Sequence, residues 1–430
     1  MANELRRSLS LTQLVFYGVG TIVGAGIYSV LGAAAGMAGP GVWVSLVLAG
    51  VAAFITALSY AELISLYPQA GAEYHFLKRA FPGQSLLRFF AGFLIALNAA
   101  STSATVALAF GGYLRVFLDA PAGIIAFVLL SACTLVNIAG IRESTWASIG
   151  LICIEVVGLL LLIGAGFWHA DVMDAVQLPA AEDFGSVVAA TALIFFIYIG
   201  FEDVANLAEE AKTPRRDVPR ALLMSVAITT VIYLLVAWVA LALVSPQVLA
   251  QSESPLTAAG GGISPWLGRA LAVSALFATA STALISLISI SRLLYGMARD
   301  GALPPVLARL TPQRRTPWVA ALALFGAACA LLPLGEVKVV ASISALGILT
   351  VFVGIQAALI TLRFTRPELP RKFMVPGRIG RLPVLPVLGM AMAAALITQF
   401  EPRVYLVGGI AVAVGLLLHW LAGRSKAHKG

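Results

Sequence analysis

The amino-acid sequence predicts an all-α integral membrane protein with twelve transmembrane helices. The chain of 430 residues is 60% hydrophobic and only 11% charged, whereas about 25% of the residues in a soluble domain are charged. Twelve apolar runs are close to or above the roughly 20 residues that cross a bilayer. The basic residues fall almost entirely between alternate runs, so the net charge of +8 is a property of the loops. We therefore expect the lipid bilayer as a partner, and no nucleic acid.

The apolar runs follow one another with short loops between them. These loops are too short for a separate soluble domain, so we expect a single transmembrane unit. The twelve predicted spans lie at 12–36, 41–66, 86–118, 122–140, 146–168, 187–208, 218–244, 265–297, 317–335, 339–362, 382–399 and 403–422.

The distribution of basic residues predicts that both termini lie in the cytoplasm at a cell membrane. Of the 28 Lys and Arg residues, 24 fall on the same side of the bilayer as the N-terminus, and the other four are Arg115, Arg269, Lys338 and Arg403. Cytoplasmic loops carry the excess of Lys and Arg in membrane proteins. One missed or additional span would destroy this asymmetry, so it also supports the number of spans.

The first span is interrupted by glycine. Six glycines fall in 18–36, and Gly24, Ala25 and Gly26 occupy its centre. Each glycine costs a helix about 1 kcal/mol relative to alanine. A break here would present backbone N–H and C=O groups in mid-membrane. Close helix packing is the alternative use of such glycines.

The sixth span is interrupted as well, at Gly200, and the adjacent carboxylates of Glu202 and Asp203 follow. Carboxylates at such depth are costly and indicate function by default. The two interrupted spans lie five apart, which predicts two halves of five helices, 12–168 and 187–362, and two additional helices in 382–422. An odd number of helices per half inverts the second half, as in many transporters.

The two breaks predict a site for a zwitterion. The helix after the first break presents N–H groups and the positive end of its dipole, which suits a carboxylate. The helix that ends at the second break presents carbonyl groups and its negative end, which suits an ammonium group or a small cation. Opposite poles that face each other would bind an α-amino acid.

Four blocks of sequence stand out as motifs. They are GVGTIVGAGIYSVLG (18–32), SYAELISLYPQAGAEYHFLKRAF (59–81), FFIYIGFEDVANLAEEAKTPRRDVPRAL (195–222) and SRLLYGMARDGALPPVLARLTP (291–312). These blocks resemble signatures of the amino acid–polyamine–organocation superfamily, with its cationic amino acid transporter-like branch nearest. This resemblance extends over 12–365 and implies the leucine-transporter fold, a 5+5 inverted repeat with broken helices 1 and 6. It also implies secondary active transport of amino acids by alternating access, as symport or exchange.

The resemblance also implies which residues bind the substrate. In such relatives the substrate carboxylate meets the backbone of the glycine triplet, here Gly24, Ala25 and Gly26. The aromatic face of Phe201 or Tyr198 is expected to help close the site. The ammonium group meets carbonyls just before the triplet and in the sixth span, here those of Ile22, Phe196, Ile197 and Ile199.

Three acidic residues are candidates for coupling or gating. Proton-coupled and exchanging relatives often carry a lysine in mid span five, and that position is Glu155 here. A carboxylate there reverses the local charge, so Glu155 could bind Na⁺, carry a proton, or be a structural acid bonded across helices. Glu202 is the better candidate for gating or proton sensing. Glu62 is expected to pair with a loop Arg or Lys in an inner gate.

Hydroxyl side chains are weaker candidates, because hydroxyls in spans mostly bond a carbonyl of their own helix. They could line the pocket for the substrate side chain or a cation site. These residues are Ser101, Thr102, Ser103, Thr279, Ser281 and Thr282.

Two other functions stay open on the sequence. One is transport of a polyamine or other organic cation, with Glu155 and Glu202 as counter-charge. The other is a substrate sensor that does not transport. We expect no cofactor, no metal site and no enzymatic activity, because there is no phosphate-binding loop, no histidine pair in mid-membrane and no Ser–His pair on the spans. The coupling ion, H⁺ or Na⁺, the selected side chain and any oligomeric partner stay open.

Overall fold

A computed structural model describes residues 9–69, 72–140, 145–173 and 176–427. The chain termini, which we predicted to be cytoplasmic, lie outside the described residues. The helices are α1 Leu11–Val23, α2 Gly26–Ala38, α3 Val42–Leu66, α4 Ala72–Ala80, α5 Ser85–Leu114, α6 Ala122–Ala139, α7 Thr145–His169, α8 Phe184–Ile194, α9 Asp203–Asn206, α10 Pro214–Leu243, α11 Pro246–Gln251, α12 Pro255–Gly261, α13 Pro265–Arg299, α14 Trp318–Leu331, α15 Val337–Thr365, α16 Val384–Ile397 and α17 Pro402–Ala427.

The described part of the chain is mostly helical. Nine of its helical segments are long and apolar enough to cross a membrane, and three shorter apolar helices accompany them at Leu11–Val23, Trp318–Leu334 and Val384–Ile397. Five short 3₁₀ helices and one two-stranded antiparallel ribbon, in which Arg378–Ile379 pairs with Leu382–Pro383, complete the described structure. The chain is therefore a helical integral membrane protein.

The first interruption is confirmed between α1 and α2. Helix α1 begins at Ser10, whose hydroxyl accepts a bond from the Gln13 N–H while the Gln13 side chain accepts from the Ser10 N–H. Such a reciprocal cap satisfies two N–H groups that have no partner within the helix. Helix α1 ends at Gly24, whose ψ of −150° is outside the helical range, and α2 restarts at Gly26.

The second interruption is also confirmed, and it begins earlier than we predicted. Regular α-helix ends at Ile194, and a 3₁₀ helix, Phe195–Tyr198, continues the span. Ile199 is extended, and Gly200 has a φ of +115°, a conformation that glycine adopts readily and other residues do not. The chain then re-enters the short helix α9. The tighter 3₁₀ turns often end a helix in this way, which the apolar sequence did not reveal.

The interrupted segments lie in the interior of the helical array. Helix α1 packs against α10, α2 packs against α8 and α11, and α3 packs along α10. Helix α5 packs along α13 and α15. About two thirds of the apolar window of α5 and of α15 is buried (67% each), against 17% for α17, so α17 lies at the periphery and faces lipid.

Candidate functional site

The two interruptions meet at the level of the backbone. The Thr21 hydroxyl lies 3.3 Å from the Gly200 carbonyl oxygen and 3.1 Å from the Tyr17 and Gly18 carbonyl oxygens of its own helix. A Cβ added to Gly26 would lie 2.9 Å from the Cα of Ile197, and one added to Gly200 would lie 2.9 Å from the Thr21 carbonyl oxygen. Real Cβ atoms essentially never come so close to backbone atoms, so these two glycines permit the approach of the two spans.

Tyr233 of α10 joins the two spans from a third helix. Its hydroxyl lies 2.5 Å from the Ile22 carbonyl oxygen and 3.0 Å from that of Ile197. These two carbonyls were predicted separately to face an ammonium group, and the structure brings them to one hydroxyl. Sequence reasoning missed Tyr233. A tyrosine inside an apolar span was a usable signal, because a buried Tyr hydroxyl needs a partner.

The backbone of the first break is held from α13. The Ala25 N–H donates to the Thr282 hydroxyl at 3.3 Å, and the Gly24 N–H donates to the Gly20 carbonyl at 3.2 Å. Gly26 is the first residue of α2 and is only partly buried. The N-terminal end of α2 thus lies beside the Ile22 and Ile197 carbonyls, so donors and acceptors lie next to each other.

The other predicted residues of the sixth span turn in different directions. The Phe196 carbonyl accepts the Ile199 N–H at 3.3 Å, which closes the 3₁₀ turn. The Tyr198 hydroxyl donates to the Leu46 carbonyl of α3 at 3.1 Å. The buried Phe201 ring packs on Phe352 of α15, with 5.3 Å between the ring centroids. Tyr198 and Phe201 therefore lie against neighbouring helices, and a role in closing the site remains a prediction for both.

Glu155 of α7 is almost completely buried, at 2% exposure. The Ser281 hydroxyl of α13 donates to its carboxylate at 2.8 Å, and the Tyr28 hydroxyl of α2 donates to its backbone carbonyl at 2.9 Å. Among the described residues, no Lys, Arg or His forms a salt bridge with Glu155. Glu155 is thus buried with a hydroxyl partner and no cationic partner among the described residues, and its role in coupling stays a prediction.

Glu202 lies two residues after Gly200, at the second break. Its side chain is buried, and one of its oxygens accepts the Gly200 N–H at 2.9 Å. It thereby holds a backbone donor that the interruption leaves without a helical partner. Contact with substrate is not required for this role, so gating by Glu202 remains a prediction.

Another buried acid, Glu73, lies on α4 outside the membrane-spanning segments. It accepts a bond of 3.1 Å from the Tyr60 hydroxyl of α3. Burial, together with a smaller contribution from the negative charge of Asp203, raises the pKa of the Glu73 carboxyl from 4.5 to about 7. Next to it, the Ala72 N–H donates to the Asn206 side chain at 3.3 Å, so the start of α4 is bound to the end of α9.

The predicted pairing of Glu62 is confirmed. Both of its carboxylate oxygens form a buried ion pair with Arg363 of α15, and Arg371 of the following loop adds a bond from its Nε atom at 3.1 Å. The Val375 N–H donates to the same carboxylate at 2.8 Å. One partner is thus a loop arginine, as expected. The other, Arg363, belongs to a helix that is distant from Glu62 in the sequence, so the sequence did not reveal this pairing.

The described residues contain no group of three His, Cys, Asp or Glu side chains that could hold a metal ion.

Comparison with known proteins gives one family and several relatives. The family model described as "Amino acid permease" matches residues 9–424. The branched-chain amino acid permease BcaP of Bacillus subtilis is 30% identical, over 98% of this chain and 94% of that protein. Cationic amino acid transporter 4 of Mus musculus is 32% identical, over 86% of this chain and 62% of that protein. The methylthioribose transporter of Bacillus subtilis is 28% identical, over 98% and 95%.

Proposed function

Because the chain belongs to the amino acid permease family and is thus an amino acid transporter, we propose that it works as a secondary active transporter. Alternating access of one central site to the two sides of the cell membrane would move the amino acid. Transport is either coupled to H⁺ or Na⁺, or proceeds as exchange. No catalytic residue and no cofactor is part of this proposal.

The proposed architecture is twelve transmembrane helices in a leucine-transporter-like arrangement. Counting α1 with α2, and α8 with α9, each as one interrupted span, and leaving out the short helices α4, α11 and α12, gives this number. The halves 12–168 and 187–362 form an inverted repeat, 382–422 adds two helices, and both termini lie in the cytoplasm. Support comes from the two interruptions, which fall at corresponding places in the two halves and touch each other.

The substrate head group is proposed to bind at the two breaks. Its carboxylate would meet the backbone of Gly24, Ala25 and Gly26 and accept from the Ala25 and Gly26 N–H groups, at the positive end of α2. The Gly24 N–H is already bonded to the Gly20 carbonyl. The substrate ammonium would donate to carbonyls of Ile22, Ile197, Phe196 and Ile199. The observation that supports this proposal most is that the Tyr233 hydroxyl contacts both the Ile22 and the Ile197 carbonyl. Each carbonyl oxygen has two lone pairs and can accept from an ammonium group as well.

Coupling is proposed to depend on Glu155. This carboxylate is buried without a cationic partner among the described residues, and its Ser281 partner lies beside Thr282, which contacts the first break. A proton or Na⁺ bound by Glu155 would therefore act close to the carboxylate site. Glu202 is proposed as a gating residue, with Tyr198 and Phe201 as aromatic groups that help to close the site.

The experiment is uptake into proteoliposomes that contain the purified full-length chain. Labelled branched-chain and cationic amino acids are compared with a labelled polyamine, with and without a pH gradient, Na⁺ and internal amino acid. Uptake of an amino acid supports the proposal, and its gradient dependence separates symport from exchange. Uptake of the polyamine alone would favour transport of organic cations. Binding of an amino acid without uptake under any gradient would indicate a sensor.

A further inference from the structure

Thr282 of α13 occupies the position that the carboxylate of a substrate needs. Its hydroxyl oxygen accepts the Ala25 N–H at 3.3 Å. The same oxygen lies 3.2 Å from the place where a Cβ of Gly24 would be. Thr282 thus packs against the peptide bond between Gly24 and Ala25, on the side where Gly24 lacks a Cβ.

This contact differs from the usual bond of a threonine within a helix. A helical Thr hydroxyl commonly bonds the carbonyl three or four residues earlier, in one of two side-chain rotamers. Thr279, one turn before, does this with the Ala275 carbonyl at 2.6 Å. Thr282 instead reaches another helix, and among the described residues we find no acceptor for its own hydrogen.

We propose, on the basis of the proposed function, that Thr282 is a placeholder for the substrate carboxylate. A placeholder here means a side chain that satisfies the Ala25 N–H while the site is empty and is displaced when substrate binds. A buried N–H group without a partner is costly, so the empty site needs such a group. A neutral hydroxyl is a weaker partner than a carboxylate, because charge-assisted hydrogen bonds are about twice as strong. Replacement of the Thr282 hydroxyl by the substrate carboxylate at the Ala25 N–H therefore favours substrate binding.

Thr282 is a positioning residue, and we expect the removal of its hydroxyl to strengthen substrate binding instead of weakening it. Thr282→Val keeps the shape of the side chain and removes the hydroxyl. The Ala25 N–H then lacks a partner in the empty protein but regains one from the substrate carboxylate. We expect amino acids to bind about threefold to tenfold more tightly, the equivalent of one hydrogen bond. The empty variant should unfold at a lower temperature, and amino acid should raise that temperature more than in the unmodified chain.

The test measures binding of a transported amino acid to the purified full-length protein, by calorimetry and by thermal unfolding, with and without Na⁺. Thr282→Ser keeps a hydroxyl and should leave the dissociation constant unchanged within about twofold. Thr279→Val removes a hydroxyl that bonds only within α13, so it should affect stability and not affinity. The decarboxylated analogue of the amino acid lacks the displacing group, so its binding should not tighten in Thr282→Val.

The outcomes separate this inference from the proposed function. Tighter binding that is selective for the carboxylate supports the placeholder. Unchanged or weaker binding by a folded Thr282→Val protein overturns it, and a loss of Na⁺ dependence in that variant would overturn it in favour of a cation ligand. If the unmodified chain binds no amino acid, the proposed function itself is wrong.

Discussion

The hydroxyl of Ser281 donates a hydrogen bond of 2.8 Å to the carboxylate of Glu155. The two residues come from α13 and α7, and the contact lies beside the first interruption. It places a buried acid without a cationic partner, among the described residues, next to the backbone that we propose as the carboxylate site.

Glu155→Gln should uncouple transport from the ion gradient. Glutamine keeps an oxygen that can accept from Ser281 but can neither bind a proton reversibly nor carry a charge. The gradient that drives uptake by the unmodified chain should then stimulate uptake at least about fivefold less, the lower limit of a typical coupling energy, whereas exchange continues. Uptake and exchange in proteoliposomes measure this.

Ser274→Ala is the matched control for Glu155→Gln. The Ser274 hydroxyl bonds the Ile154 carbonyl and the Tyr28 hydroxyl without touching the carboxylate, so gradient dependence should persist in this variant. Unchanged gradient dependence in Glu155→Gln would assign Glu155 to structure.

Tyr233→Phe should weaken both the fold and the binding of amino acids. The substitution removes the donor that the Ile22 and Ile197 carbonyls share, at an expected cost of about 1–3 kcal/mol in the free energy of unfolding. Thermal unfolding and equilibrium binding in detergent give the two quantities. Tyr113→Phe removes another buried hydroxyl, bonded to the Tyr28 carbonyl, and should lower stability alone. Equal affinity losses in both variants would count against the proposed ammonium site.

Glu62→Gln should destabilise the protein strongly. It removes the negative charge that two buried arginines, Arg363 and Arg371, share. Loss of one partner of a buried ion pair costs about 3–5 kcal/mol, because it leaves an uncompensated charge. Glu253→Gln is the control, because the Arg115–Glu253 pair is largely exposed and should contribute less than about 1 kcal/mol. Similar shifts in the thermal unfolding of both variants would refute a structural role for the buried cluster.

Gly26→Ala and Gly200→Ala should each impair folding or transport. The added methyl group would collide with the backbone of the other interrupted span, at 2.9 Å in both cases, and Gly200 also has a positive φ. Gly164→Ala provides the comparison, since no atom lies within 4 Å of its Cβ position. That change should be neutral or slightly stabilising, because alanine favours a helix by about 1 kcal/mol. Yield of folded protein and initial uptake rate test all three; full activity of Gly26→Ala would contradict the close contact.

Glu73→Gln should change how stability depends on pH. The folded protein raises the pKa of Glu73 from 4.5 to about 7, so it retains a proton that the unfolded chain has released. Stability therefore falls as pH rises between these two values and changes no further above the upper one. The loss attributable to this group is on the order of 3 kcal/mol and should be absent from the glutamine variant. Thermal unfolding of both proteins from pH 4.5 to pH 8 would show parallel curves if burial did not perturb Glu73.

The sequence predicted features that one stretch of chain determines by itself. The glycines at 24 and 26 marked the interruption of the first span, and Gly200 marked that of the sixth. Glu62 was expected to find a basic partner because a buried charge requires one. The partners of the breaks were harder to find. Tyr233 was missed, and Thr282 was a candidate only for the side-chain pocket or a cation site, because only packing brings their hydroxyls to the backbone of the breaks. Likewise, the sequence could not show that Tyr198 turns to the Leu46 carbonyl.

The contact between Gly26 and Ile197 has a consequence for selective inhibition. In the proposed site, main-chain atoms bind the amino and carboxylate groups of the substrate. Every residue type possesses these atoms. Substitution of side chains on the surrounding helices can then change which amino acid is preferred, without changing the main-chain atoms that bind its amino and carboxylate groups. A compound that mimics only the amino and carboxylate groups would bind this chain and its relatives alike. Discrimination between them requires a compound that extends beyond the two breaks towards side chains of the surrounding helices, such as α5, α13 and α15.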